Sequence, residues 1–261
     1  GGSFLPPGAP SARDYGAWLL EAIDALGIER FHLAAHHTGT HFAAEIAAMV
    51  PDRSLSLTLS GILLAPADER AAMRAEMGDA AAVDLDGAYI TETYRLMRSL
   101  FLDPQPDLVH AEAMGALVAG KGRDLAFDAI FAQDFAGLLA KVLETGRTPV
   151  RVVQASDDPL TLNGMLDRLR QQFPAVPVEV TGPAFLATPE RQSGAFARSI
   201  LNQIKGPSSM ENRRYQLARS ANGYDLVRAD GDIPAPGAGE VLVRVRAVSL
   251  NRRDLGVRDL S

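Results

Sequence analysis

One segment constrains the fold more than any other, because a short apolar run leads directly into a turn and a strong helix former. The run is Phe31-His-Leu-Ala-Ala35, and the helix former is Phe42-Ala-Ala-Glu-Ile-Ala-Ala-Met49, which Pro51 ends. A short apolar run of this kind predicts a buried strand, and the second stretch predicts a helix. We therefore expect a strand, a sharp turn and a helix in immediate succession.

The first 205 residues alternate helical and strand patterns throughout. A helix is predicted after a cap at Ser11, and another over residues 190–204. Further strands are predicted at residues 55–61, 149–154 and 176–180. Strands that alternate with helices predict a mostly parallel sheet with helices on both faces, which is an α/β fold.

A long insertion separates the second predicted strand from the third. It covers about residues 62–145 and has helical patterns at residues 67–77, 89–101, 108–118 and 125–143. An insertion of this length between strands is typical of a functional element, so we expect a helical lid over a site. Tyr94, Arg95, Arg98 and Phe101 are candidates for its inner face, although ordinary helix packing is the better default for them.

Composition and charge limit the partners of the chain. The first 205 residues carry 17 basic and 25 acidic side chains within a net charge of −6 for the whole chain, which argues against a nucleic-acid partner. No run approaches the ~20 apolar residues of a membrane span, and residues 1–7 lack the features of a signal peptide, so a cytoplasmic protein without membrane association is expected. With no cysteine, the available chemistry belongs to His, Asp, Glu and hydroxyl groups.

The strand, turn and helix at residues 34–47 resemble the nucleophile elbow of α/β hydrolases, in which a Gly-x-Ser-x-Gly turn lifts the nucleophile above the sheet. The turn is so tight that the residues two before and two after its centre must be small. With His37 at the centre these are Ala35 and Gly39, whereas with Thr38 at the centre one of them would be the larger His36. His37 therefore stands where the resemblance places a serine.

The resemblance to the α/β-hydrolase superfamily covers about residues 1–205, and the His-Thr-Gly elbow is similar to one subgroup of it. It implies a truncated α/β-hydrolase fold that lacks its first strands. The sheet edge left unpaired by that truncation would favour self-association.

The same resemblance implies two changes and one retention in the catalytic triad. Ala155-Ser-Asp-Asp-Pro159 is similar to the family's acid segment, with Asp158 at the position of the acid. The Thr38 N–H would face an oxyanion. The family's histidine is missing, since Ala184 occupies the base position. Loss of nucleophile and base argues against ordinary serine-hydrolase turnover.

His37 itself allows alternatives. A neutral imidazole at a helix N-terminus can be a nucleophile, a base or a ligand, with Asp158 holding the ring, or it can simply pack and form hydrogen bonds. His41, four residues on, and Glu45 have a metal-ligand spacing but lack the Glu of a His-Glu-x-x-His motif. We therefore predict no metal site and no cofactor. Of the other histidines, His32 is expected in the strand, His36 facing loops and His110 on the lid surface.

The last part of the chain has a different pattern. Residues 206–211 predict a linker, and β segments are predicted at residues 214–218, 224–229 and 240–249. The run from Pro236 to Asp254 resembles the N-terminus of a medium-chain dehydrogenase/reductase of the quinone-oxidoreductase kind. That resemblance implies that residues 212–261 are a partial GroES-like, mainly-β fragment. Zinc-using members of that family have a cysteine at the position of Asn251, so the fragment resembles a zinc-independent branch.

Three functional hypotheses follow. The first is an α/β-hydrolase-fold enzyme with a degenerate triad that hydrolyses a small apolar substrate through His37. The second is a non-catalytic pseudo-hydrolase that binds a small ligand or a partner in the same pocket. The third is a fragment of a fused NADPH-dependent quinone oxidoreductase.

Overall fold

The computed structural model describes residues 8–101, residues 104–204, and the backbone of residues 212–220 and 223–231. The chain divides into two compact units, residues 4–204 and residues 1–3 together with 205–261, and each is described by itself. The predicted linker, the predicted strand at residues 240–249 and the dehydrogenase-like run from Pro236 to Asp254 lie outside the described residues.

The larger unit contains a four-stranded parallel sheet whose strands pair in chain order. One line of register crosses all four strands, from Ala35 to Leu59, Val152 and Val178. The strands are β1 (Phe31–His36), β2 (Ser54–Ser60), β3 (Val150–Ala155) and β4 (Val178–Thr181). All four strands predicted for this unit are present. The prediction that β1 is a buried strand is wrong, because β1 lies at an edge of the described sheet and only its Phe31 is buried.

Helices surround this sheet in the α/β order that the sequence predicts. Before the insertion lie α1 (Ala12–Ala25) and α2 (Thr38–Met49). The insertion contains α3 (Ala67–Met77), α4 (Ala88–Ser99), α5 (Pro106–Ala119), α6 (Lys121–Ala132) and α7 (Phe135–Glu144). After it come α8 (Pro159–Leu162), α9 (Met165–Gln172), α10 (Thr188–Arg191) and α11 (Ser193–Gln203).

Helix ends follow the local sequence. Ser11 caps α1 with a full capping box, since its side chain accepts from the Asp14 N–H and the Asp14 carboxylate accepts from the Ser11 N–H. The helix predicted over residues 125–143 is two helices, because Gln133 is extended and Asp134 caps a new helix through the Gly137 N–H. The helix predicted over residues 190–204 is also divided, at Gln192.

The buried apolar residues of the insertion belong to two separate clusters. The main core joins α2 and the sheet to buried residues of α6 and α7 such as Ile130, Phe135 and Leu139. The second cluster, named here the α4–α5 cluster, is formed by the buried residues Met97, Phe101, Val109, Ala113 and Ala187. The end of the predicted lid thus belongs to the main core, and α4 and α5 pack elsewhere.

The smaller unit contains an antiparallel hairpin. Its strands are β5 (Asn212–Ser220) and β6 (Gly223–Gly231), with Gln216 opposite Val227. The strands predicted at residues 214–218 and 224–229 are confirmed. No helix in the described part of either unit has the length and apolarity needed to cross a membrane.

Candidate active site

His37 lies at the centre of the sharp turn between β1 and α2. Its backbone has φ 46° and ψ −119°, a region that non-glycine residues rarely occupy, and its N–H donates to the Ser60 carbonyl at 2.7 Å. A Cβ on Gly39 would lie 3.7 Å from that of Ala35, so the two flanking residues face each other closely. This contact agrees with the small-residue argument that puts His37 at the centre.

Asp158 lies against the imidazole of His37. Its Oδ2 is 3.0 Å from Nε2 of His37, and its side chain is fully buried while that of His37 is 25% exposed. Its Oδ1 accepts from the Leu160 N–H at 2.8 Å, which caps α8. The distance is that of a hydrogen bond, but neither Nε2 nor Oδ2 has an aligned hydrogen-bond partner among the described residues. The contact between the two groups is therefore electrostatic.

Gly61 supports the other side of the ring. It follows β2 directly with φ +72°, and a Cβ there would lie 2.6 Å from Cδ2 and 2.8 Å from Nε2 of His37. Only a glycine fits beneath the imidazole in this position. Sequence reasoning put Gly61 at the end of the second predicted strand but gave it no role in the site.

Thr38 is the first residue of α2. An N–H in the first turn of a helix has no carbonyl partner within the helix, so that of Thr38 is free to donate to a ligand. The Thr40 side chain and N–H both bind the His37 carbonyl, at 2.6 and 2.9 Å. These bonds hold the turn closed beneath the imidazole.

Ala184, which the sequence resemblance assigns to the base position, is fully buried and belongs to a tightly held loop. Asp157 accepts from the N–H groups of both Ala184 and Phe185 at 2.7 Å. His36 donates from Nε2 to the Leu186 carbonyl at 2.9 Å, so its Nδ1 accepts from Ser60 at 3.1 Å. The sequence did not predict that Asp157 and His36 bind this loop, although His36 does face a loop as expected.

The two histidines of the turn differ in their surroundings. The rings of His36 and His37 meet edge to face, with centroids 4.3 Å apart. Burial, followed by the neighbouring His37, lowers the pKa of His36 to about 4. His36 is therefore neutral near pH 7 and keeps the tautomer that its two partners require.

His41 lies in a separate buried network. The amide of Gln133 donates to Glu45 at 2.7 Å, so its oxygen faces Nδ1 of His41 at 2.5 Å and that nitrogen must donate. Burial lowers the pKa of His41 to about 4, and Arg70 acts in the same direction. The side chains of His41 and Glu45 are thus engaged with Gln133, and no group of three potential metal ligands occurs in the part of the chain that the structure describes.

The other candidates are distributed as follows. His32 is half-buried and contacts Ser56 at 2.8 Å, and His110 is exposed on α5 as expected. Tyr94, Arg95 and Arg98 are exposed. Of the four residues considered for the inner face of the lid, Phe101 alone is buried, and it joins the α4–α5 cluster.

Helix α5 also places a carboxylate within electrostatic reach of His37. Partial burial, followed by repulsion from Glu190, raises the pKa of Glu112, while His37 acts in the opposite direction. Glu112 nevertheless has an exposed side chain, so these effects are screened by solvent.

Solved structures match most of the chain. A hydrolase from Pseudomonas aeruginosa is 22% identical, covers 79% of this chain and 76% of its own, and has a TM-score of 0.59. A thermophilic esterase from Thermogutta terrifontis is 18% identical, with coverages of 78% and 75% and a TM-score of 0.59. A bromoperoxidase from Bacillus anthracis is 15% identical, with coverages of 79% and 78% and a TM-score of 0.60.

The chain has the α/β-hydrolase fold. No family model matches the sequence, and no curated protein matches it. At these identities the solved structures establish the α/β-hydrolase fold and leave the activity to be argued from the site.

A cavity of about 420 Å³ lies elsewhere in the α/β-hydrolase fold. The start of α1, Glu45 and Gln133 line it, and neither His37 nor Asp158 does. This cavity is therefore separate from the His37–Asp158 pair.

Proposed function

We propose that this protein hydrolyses a small, uncharged, largely apolar substrate, with His37 as general base and Asp158 as its carboxylate partner. The observation that carries the proposal is the 3.0 Å separation of Nε2 and Oδ2 at the elbow. A carboxylate beside one ring nitrogen favours the tautomer that carries the proton there. Nδ1 then keeps its lone pair, and no described residue forms a hydrogen bond with it.

The reaction needs one water molecule and one proton relay. Nδ1 of His37 takes a proton from water while the water oxygen attacks the carbonyl carbon of an ester. The Thr38 N–H donates to the oxyanion that forms, and Asp158 stabilises the imidazolium. When the tetrahedral intermediate collapses, the same proton passes to the leaving alkoxide, so His37 returns to its neutral form.

The surroundings of the dyad support an apolar, uncharged substrate. The α4–α5 cluster contains apolar side chains and includes Ala187, which belongs to the loop that His36 holds. We propose that α4 and α5 form the lid of the site. Glu112 of α5 interacts electrostatically with His37, so an anionic substrate would also be repelled by its carboxylate, although solvent screens that repulsion.

The alternative is a pseudo-hydrolase that binds a ligand at the elbow without turnover. Ala184 favours it, because the position that supplies the base in the family holds a buried methyl group. The quinone-oxidoreductase hypothesis stays a prediction, since the residues that suggest it lie outside the described part of the chain.

The experiment is a rate measurement on the full chain with p-nitrophenyl esters of short acids and with aryl epoxides. We expect slow turnover that His37→Ala abolishes and that His110→Ala, at an exposed histidine of α5, leaves unchanged. Turnover that survives His37→Ala contradicts the proposal. If no substrate is turned over but ligands shift the His37 ring signals in NMR spectra, the binding alternative replaces it.

A further inference from the structure

The support beneath the His37 ring depends on how β2 ends. The register between β2 and β3 continues to Leu59 opposite Val152, the last paired position. Gly61 is two residues after Leu59, just beyond β2, and Gln154 is two residues after Val152, within β3. At this point the chain leaves the sheet, because Gly61 adopts φ +72°. The N–H of Gly61 therefore needs a partner other than a backbone carbonyl of β3.

The side chain of Gln154 supplies that partner. Its Oε1 accepts from the Gly61 N–H at 2.9 Å, and the side chain is fully buried. The backbone of Gln154 lies within β3, opposite Val180 of β4, so the side chain starts from a rigid position. The hydrogen bond thus fixes Gly61 relative to the sheet.

The amide nitrogen of Gln154 also indicates that this side chain does more than pack. Nε2 is buried and has no hydrogen-bond partner among the described residues. Unpaired buried donors are costly, so a glutamine is a poor choice for packing alone. The hydrogen bond to Gly61 gives the side chain a role that an apolar residue of similar shape lacks.

From these contacts we infer that Gln154 is a positioning residue for His37, acting through Gly61, and this inference rests on the proposed role of His37 as base. Gly61 lies directly beneath the ring, where a Cβ would come within 2.9 Å of three ring atoms. A shift of Gly61 therefore changes the space available to the imidazole. Nε2 of His37 lies 3.0 Å from Oδ2 of Asp158, the carboxylate that selects the tautomer. A movement of the ring therefore changes the distance between these two atoms.

The test measures the tautomer of His37 without requiring turnover. Long-range 1H–15N spectra of the histidine rings, with the His37 signals assigned by their loss in His37→Ala, give the ratio of the two neutral tautomers. Gln154→Met removes the acceptor at similar volume, and Gln154→Asn shortens the side chain so that it no longer reaches Gly61. We expect both variants to lower the ratio of the tautomer protonated at Nε2 to that protonated at Nδ1 by about threefold or more, because a ring that moves away from Asp158 loses part of its interaction with that carboxylate.

Two further variants serve as a positive and a negative control. Gly61→Ala disturbs the ring directly and should change the ratio in the same direction. Thr181→Val is the matched control, because the Thr181 hydroxyl contacts the Gln154 carbonyl and not Gly61. An unchanged ratio in Gln154→Met and Gln154→Asn, or an equal change in Thr181→Val, overturns the inference. Since the readout is spectroscopic, it holds or fails separately from the proposed hydrolysis.

Discussion

Oδ2 of Asp158 lies 3.0 Å from Nε2 of His37, and no described residue forms a hydrogen bond with that oxygen. A fully buried carboxylate with one unpaired oxygen is expensive to maintain. The other oxygen has a structural use in capping α8 through the Leu160 N–H. The two oxygens of Asp158 therefore have different roles: Oδ1 caps α8, and Oδ2 faces only the imidazole of His37.

Asp158→Asn should separate activity from stability. An asparagine keeps the cap of α8, but its amide nitrogen facing Nε2 would favour the tautomer protonated at Nδ1, which is unable to act as a base. We expect turnover to fall by about 10³-fold or more, as for a wrong histidine tautomer in a serine protease triad. The melting temperature should stay the same or rise, because a buried charge is removed.

The measurement is kcat/KM together with thermal unfolding of the same samples. A variant with wild-type kcat/KM would show that the carboxylate has no part in catalysis. A large fall in melting temperature would show that the pair is mainly structural.

Gly61→Ala should destabilise the fold more than its backbone angle alone predicts. Alanine at positive φ costs about 1–2 kcal/mol, and overpacking against the imidazole adds about 1–3 kcal/mol. Gly146→Ala is the matched control, since Gly146 has φ +62° and nothing within 4 Å of a Cβ. Urea unfolding of both variants gives the difference. Equal costs would mean that the His37 ring moves aside freely.

Local patterns were enough to predict the strands of the sheet and the centre of the elbow. The requirement for small residues at Ala35 and Gly39 is a property of a few consecutive positions, so the sequence shows it directly. The resemblance then indicated Asp158, which the structure brings to His37. Neither step needed knowledge of distant contacts.

The parts that were missed depend on tertiary contacts. Gly61 follows β2 and Gln154 lies in β3, 93 residues later, so neither carries a local signal of their hydrogen bond. The break at Gln133 was missed for a related reason. Residues of α6 and α7 are both buried in the main core, and the apolar pattern therefore continues across the break.

His37→Gly should be more stable than His37→Ala. Glycine normally destabilises relative to alanine because it loses more backbone entropy on folding. At φ 46° and ψ −119° the order should reverse, by about 1 kcal/mol, since glycine relieves the backbone strain and alanine keeps it. The same pair of substitutions at Thr38, the first helical residue, should show the normal order. Denaturant unfolding measures both, and an identical order at the two positions would contradict a strained elbow.

Stability should fall in mild acid because two histidines are held neutral in the folded state. The pKa of His36 and that of His41 are each lowered from 6.5 to about 4, chiefly by burial. Below pH 6.5 these two histidines bind protons in the unfolded chain but stay unprotonated in the folded chain. Their contribution to the free energy of unfolding is therefore fully present above pH 6.5 and is lost as the pH falls towards about 4. Each histidine contributes a slope of up to about 1.4 kcal/mol per pH unit in that window.

Urea unfolding at several pH values between 4 and 7 tests this expectation through the slope and not through the absolute stability. His41→Gln removes one titrating group in a fully buried position, so the slope should fall by about half of the histidine contribution. His36→Gln should reduce the slope similarly, and it also removes the hydrogen bond that holds Leu186. If the slope stays the same in both variants, other groups are responsible for the acid sensitivity. If wild-type stability does not change between pH 7 and 4.5, the two histidines are not held neutral by burial.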